Sequence, residues 1–175
     1  MNVFVIVQIL GIITLILFVI SLQQQKKEVF LLIQVVGTIF YIFQYILTNR
    51  LTGAVTFVII VIRGLVFYYY KKKDLKPSLV VLILFQVTLL VSTYFSWQNI
   101  LSILPYAATA AKTWATWQDD MKWVRRVSFF GQILLVFYNF TAAMYTGALT
   151  EVCNVASTLV AIIRFDITGN KLSKK

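Results

Sequence analysis

The sequence predicts an all-α membrane protein: seven transmembrane helices arranged as two parallel three-helix repeats joined by a linker helix, a 3+1+3 plan. Three observations predict it. The 175 residues are 60% apolar, with no histidine and a mean hydropathy of +0.85, far from the balance of a soluble domain. Apolar runs of 17 or more residues recur along nearly the whole chain, and a bilayer core of roughly 30 Å takes about 20 helical residues to cross. The chain also repeats itself at an offset of 94 residues without a gap. Gly37, Ile39, Phe43, Thr52-Gly53-Ala54 and Thr56 recur as Gly131, Ile133, Phe137, Thr146-Gly147-Ala148 and Thr150. A fixed period decides architecture before any local assignment is made.

Taken in order, the spans are expected at 3–22, 29–48, 54–70, 78–96, 99–117, 126–145 and 148–165. Polar or turn-forming breaks separate them at Gln23–Glu28, Asn49–Gly53, Lys71–Pro77, Trp97–Asn99, Gln118–Arg125 and Thr146-Gly147. The first run lacks a basic leading segment and lies inside the repeat, so it reads as a span and not as a cleaved signal. The whole chain, 1–175, is expected to form one integral membrane domain. Its parts are repeat one (3–70), the linker helix (78–96), repeat two (99–165) and a basic cytoplasmic tail (166–175). A single connecting helix gives both repeats the same direction, which makes them parallel and not inverted.

The net charge of +10 has an address. With the N-terminus outside, every basic residue except Arg50, Arg63 and Lys112 falls in a cytoplasmic loop, at a cytoplasmic helix end or in the tail. Retention of short basic loops in the cytoplasm accounts for this distribution, so nucleic acid is not an expected partner. The expected location is the bacterial plasma membrane, N-terminus outside and C-terminus in the cytoplasm. One cysteine, Cys153, excludes an intrachain disulfide, and with no histidine no cofactor or metal is expected.

Lipid-facing helix surfaces need no polar side chains, so polar residues at helical spacing mark a packed or solvated face. Helix 2 carries Gln34, Thr38, Tyr41 and Tyr45, and helix 5 carries Ser102, Tyr106, Thr109, Thr113 and Thr116. Helix 6 carries Ser128, Gln132 and Asn139, and helix 7 carries Glu151, Asn154, Ser157 and Thr158. Hydroxyls in such places commonly bond only helix to helix, at about 0.6 kcal/mol each. The amides Gln132, Asn139 and Asn154 ask for more, because each can make up to four hydrogen bonds.

Three ionisable residues lie inside the expected spans. Arg63 is about 14 Å deep at 1.5 Å per residue, where a charge faces a cavity or a partner. Glu151, the one carboxylate expected inside a span, is on the same outer side, about 9 Å from Arg63 along the membrane normal. The two are expected to pair, directly or through water. Lys112 is close enough to the cytoplasmic end of helix 5 to extend its ammonium to the surface. Pro105 interrupts helix 5, with Gly11 as its repeat counterpart, and these weak points suit either a static kink or a gating motion. Trp97, Trp117, Trp123 and Tyr68–Tyr70 read as interfacial anchors. Trp114, about a turn deeper, is the candidate for stacking on a solute ring.

Thr52-Gly53-Ala54 and Ile62-Arg63-Gly64 with its aromatic and basic helix end resemble the first half of the YgjV family of bacterial inner-membrane proteins. In the second half the resemblance rests on Leu104-Pro105, Arg125-Arg126, Tyr138-Asn139, Gly147, Glu151, Asn154 and Ile163-Arg164. It covers essentially residues 3–166. More remotely the three-helix repeats are similar to those of SWEET/PQ-loop sugar carriers and PnuC carriers of nicotinamide riboside. The SWEET likeness implies sugar-holding asparagines on the third and seventh helices. Asn154 matches the second of these, but its repeat counterpart is Ile60. The PnuC likeness implies aromatics and amides around a ring, for which Trp114, Tyr106, Gln132 and Asn139 are available.

The expected function is a small-solute transporter or facilitator with a central site between the two repeats, lined by Arg63, Asn154, Glu151, Gln132, Asn139, Tyr41 and Trp114. The solute is nucleoside- or vitamin-like, or sugar-like. The alternative is a non-transporting membrane protein acting as a partner or assembly subunit. The expected partners are the lipid bilayer, an unidentified small solute and a second copy of the chain. An enzyme is not expected, because the spans hold no histidine, paired carboxylates or serine–base set, and Asp119-Asp120 read as solvated loop residues.

Overall fold

The computed structural model describes residues 3–48, 51–97, 99–141 and 145–168, and these are helical almost throughout. Seven α-helices follow one another among the described residues: α1 (Val3–Leu22), α2 (Lys27–Leu47), α3 (Leu51–Lys72), α4 (Leu79–Phe95), α5 (Ile103–Trp117), α6 (Met121–Thr141) and α7 (Tyr145–Ala161). A 3-10 turn, Ile100–Ser102, leads into α5, and a π-helical segment, Ile162–Thr168, continues α7. Four stretches are long and apolar enough to cross a membrane: Val3–Leu22, Lys27–Leu47, Ala54–Lys72 and Gly147–Thr168. The 17-residue α4 is apolar but shorter. The other two helices carry Lys112 on α5 and Lys122, Arg125 and Arg126 at the start of α6.

The chain divides into two compact units, Met1–Pro77 and Ser78–Lys175. In the first, α2 packs against both α1 and α3. Phe30 and Phe67, each 1% exposed, and Leu22, Leu31 and Val35 form its core. Glycine lets these helices approach closely. A Cβ at Gly37 would lie 2.8 Å from Phe18 Cε1, and one at Gly64 would lie 2.6 Å from Val35 Cγ2. α3 ends where Asp74 turns into the left-handed region at φ 53. There Leu75 N–H donates back to Tyr70 O and Asp74 N–H to Lys71 O, the bond pair of a Schellman cap.

In the second unit α6 packs against both α5 and α7, and α4 packs against α5. This core is built from small residues: Ala115, Ala161, Val124, Thr113 and Thr158 are fully buried, as suits helices that associate by close approach in lipid. Val80, Ile83, Leu84, Val87, Leu90 and Val91 of α4 are exposed, as are Val3, Ile9, Ile12, Ile16 and Ile20 of α1. Such apolar faces suit lipid.

Three local expectations change. Pro105 does not interrupt a helix: α5 begins at Ile103, so the proline sits in its first turn, where the missing N–H belongs to a group with no intrahelical partner anyway. Asn99 caps the preceding 3-10 turn through Leu101 N–H. Gly11 has a separate reason, for a Cβ there would lie 3.2 Å from Gln44 Nε2, whose amide donates to Val7 O. The polar stretch 118–125 is not all loop. Asp120 Oδ1 accepts from Lys122 N–H and caps α6, which starts at Met121, so Arg125 is helical. Of the residues invoked from sequence, Asn49, Arg50 and positions 169–175 of the tail lie outside the described residues.

Candidate functional site

The seven candidate residues fall into both units. Arg63 and Tyr41 belong to the first, and Gln132, Asn139, Glu151, Asn154 and Trp114 to the second. Arg63, on α3, is 7% exposed. Tyr41 has become part of an aromatic cluster spanning α1, α2 and α3. Its ring stacks on Phe57 at 5.1 Å and 13°, with Phe18 at 5.5 Å and Tyr45 at 6.4 Å. Polar bonding in this unit joins α1 to α2: Gln34 Nε2 donates to the buried Ser21 Oγ at 2.8 Å, and Gln44 Nε2 donates to Val7 O at 3.3 Å.

The second unit gathers its polar groups along the facing sides of α6 and α7. Asn154, 3% exposed, donates from Nδ2 to Glu151 Oε2 at 3.5 Å. Thr158 is fully buried, and its hydroxyl has two acceptors in reach, Gln132 Oε1 of α6 at 2.9 Å and Asn154 O at 2.8 Å. A hydroxyl has one proton, so it serves one of them at a time. The Asn154 carbonyl oxygen Oδ1 is buried and accepts no hydrogen bond. Ser128, a turn before Gln132 on α6, is 2% exposed, and its hydroxyl is unbonded too. Asn139 packs on Gly147, where a Cβ would come within 3.2 Å of its Cγ.

Charged groups stand at the two ends of this line. Lys112 of α5 is half-buried, and its positive charge acts on the Glu151 carboxyl. At the far end Arg125 Nη1 donates to Asp166 Oδ1 in an ion pair whose side chains are 4% and 2% exposed. The Phe165 ring lies 5.1 Å from the Arg125 and Arg164 guanidinium carbons. Sequence reasoning missed this pair. It placed Arg125 in a loop and Asp166 in a tail, so Glu151 looked like the one carboxylate inside the helices. The signal available was an acidic residue directly after an apolar helix whose neighbour begins with arginine. Trp114 is not part of the line. It is 38% exposed and meets Trp123 edge to face at 5.8 Å, a contact suited to an interfacial anchor.

The duplication does not extend to these groups. At offset 94 Glu151 corresponds to Phe57, Asn154 to Ile60, Thr158 to Gly64, Arg125 to Leu31 and Asp166 to Lys72. Where the second unit has a carboxylate, the first has a ring stacked on Tyr41.

Compared with known proteins, the chain matches Imp-YgjV, bacterial inner membrane protein, over residues 5–168. It belongs to that family. No curated protein and no solved structure matches the chain. Membership in Imp-YgjV accords with helices apolar enough to span a bilayer.

Proposed function

We propose that this member of the Imp-YgjV family is a small-solute carrier or facilitator of the inner membrane. In this reading the chain crosses seven times as a 3+1+3 protein, N-terminus outside and C-terminus in the cytoplasm, with the basic loops inside. The solute binds at the α6–α7 line of the second unit. One observation carries the reading: Asn154 is almost wholly buried on a helix long and apolar enough to span, yet its carbonyl oxygen accepts no hydrogen bond. A buried acceptor left unsatisfied costs about 1–3 kcal/mol, which a donor-bearing solute would recover.

The surrounding groups favour a solute rich in O–H and N–H donors. Glu151 Oε atoms, Asn154 Oδ1 and Gln132 Oε1 are acceptors, and Lys112 limits the net negative charge. Sugars and the sugar part of nucleosides fit that description.

A thermal-shift screen of the purified protein against sugars, nucleosides, vitamins and amino acids tests this. Ligands that raise the melting temperature of the wild type are expected to lose their effect in Asn154→Ala and in Gln132→Ala. Shifts retained in both variants would remove the proposed site. A screen without any shift favours the partner or assembly-subunit alternative.

A further inference from the structure

The buried polar line runs along α7 from Glu151 and on into the π-helical segment. Along that helix Glu151, Asn154 and Thr158 share a face, and Asp166 closes it about 22 Å beyond Glu151 at 1.5 Å per residue. Opposite them α6 presents Gln132, Ser128 and Arg125 at steps of four and three, all buried. Between Thr158 and Asp166 the fully buried residue is Ala161, a small side chain. Three oxygens spread along this seam, Asn154 Oδ1, Ser128 Oγ and Asp166 Oδ2, are buried and without a hydrogen bond. Single polar orphans occur in helix packing. Three in one seam, with a carboxylate at each end, mark a row of positions for water, which typically makes two to four bonds to such groups.

We infer that the α6–α7 seam is a hydrated proton path between Glu151 and Asp166. This rests on the carrier reading for its purpose but not for its geometry. A proton taken by the Glu151 carboxylate from the outer side leaves the carboxyl O–H for the adjacent water. Each water or hydroxyl, including Thr158 Oγ1 and Ser128 Oγ, gives one proton forward as it takes one from behind. The last passes its proton to Asp166 Oδ2, giving a neutral acid that releases Arg125. Loss of that proton to the cytoplasm restores the carboxylate and its ion pair, and the waters and hydroxyls then turn back to their starting orientation, so one net proton has moved. The amides of Asn154 and Gln132 orient the waters. The charges beside the path are Lys112 of α5 at Glu151 and Arg125 of α6 at Asp166, while Arg164 of the π-helical segment is exposed and packs on the Phe165 ring. Over the rest of the seam α6 presents only the uncharged Asn139, Gln132 and Ser128, Arg126 being exposed. A π-helical segment is itself rare and recurs at functional sites, and here it carries the terminal acceptor.

The test uses the full chain in phospholipid vesicles loaded with a pH-sensitive dye, with a potassium diffusion potential set by valinomycin. Wild-type vesicles are expected to acidify faster than protein-free ones. Glu151→Gln falls to the protein-free rate, and the isosteric Thr158→Val slows the flux while Thr158→Ser restores it. A wild type no faster than bare vesicles, or Glu151→Gln and Thr158→Val both as fast as wild type, overturns the path. Thermal shifts on the same preparations separate the two ideas. Solute binding without proton movement removes the path alone, and proton movement without solute binding removes the carrier reading alone.

Discussion

Arg125→Ala is expected to destabilise the folded protein by about 3–5 kcal/mol, the range for removing one partner of a buried ion pair. The Asp166 side chain is 2% exposed and takes its hydrogen bond from Arg125 Nη1. Without the guanidinium, its ionised carboxyl would stay buried beside the Phe165 ring with no compensating charge. Asp166→Ala is expected to do similar harm by leaving Arg125 buried without its counter-ion. Replacing both, as Arg125→Met with Asp166→Leu, is expected to recover most of the loss, because a well-packed apolar pair commonly matches a buried ionic one. Thermal denaturation of the four proteins in one detergent measures this. A single Arg125→Ala variant that melts with the wild type would show that the pair is open to solvent.

The second large effect is at Gly64. A methyl group there would sit 2.6 Å from Val35 Cγ2, and valine, branched at Cβ, has little rotamer freedom in a helix. Gly64→Ala is therefore expected to destabilise by about 1–3 kcal/mol through overpacking of α2 on α3. Val35→Ala should relieve the clash, so the double variant is more stable than the sum of the two single effects predicts. Gly131 is the control. Its Cβ would meet Ala108 at an ordinary 3.5 Å, and alanine is the better helix former by about 1 kcal/mol, so Gly131→Ala is expected to be neutral or stabilising. Equal losses at positions 64 and 131 would contradict this account of the packing.

Much of the helical order was legible in the sequence because lipid imposes a simple rule on it. Uninterrupted apolar length and polar breaks set α1 at Val3–Leu22 as expected, and put α2, α3 and α4 within a few residues of their observed ends. The rule fails where charge is satisfied inside the protein. α6 starts five residues earlier than its apolar run, because Asp120 caps it and Asp166 neutralises Arg125. Helix 7 continues to Thr168 for the same reason seen from the other side.

The candidate residues divide along a similar line. Gln132, Asn154 and Glu151 could be placed on inward faces by spacing alone, and the structure links them through Thr158. Tyr41 stacks on Phe57, and Trp114, 38% exposed, meets Trp123 edge to face. A helical period gives the face a side chain occupies but not the rotamer partner waiting there. Asp166 needed the neighbouring helix to be seen.

The central claim is that the α6–α7 seam admits water and is not dry packing between helices. Cysteine accessibility tests it most directly. In a Cys153→Ala background, cysteines placed at Ser128, Asn154 and Thr158 are compared with cysteines at the exposed apolar positions Val152 and Leu159, using a charged, water-soluble thiol reagent on membranes. The account predicts that the three seam positions react readily while the two apolar ones stay unmodified. Seam cysteines as inert as those at 152 and 159 would contradict it.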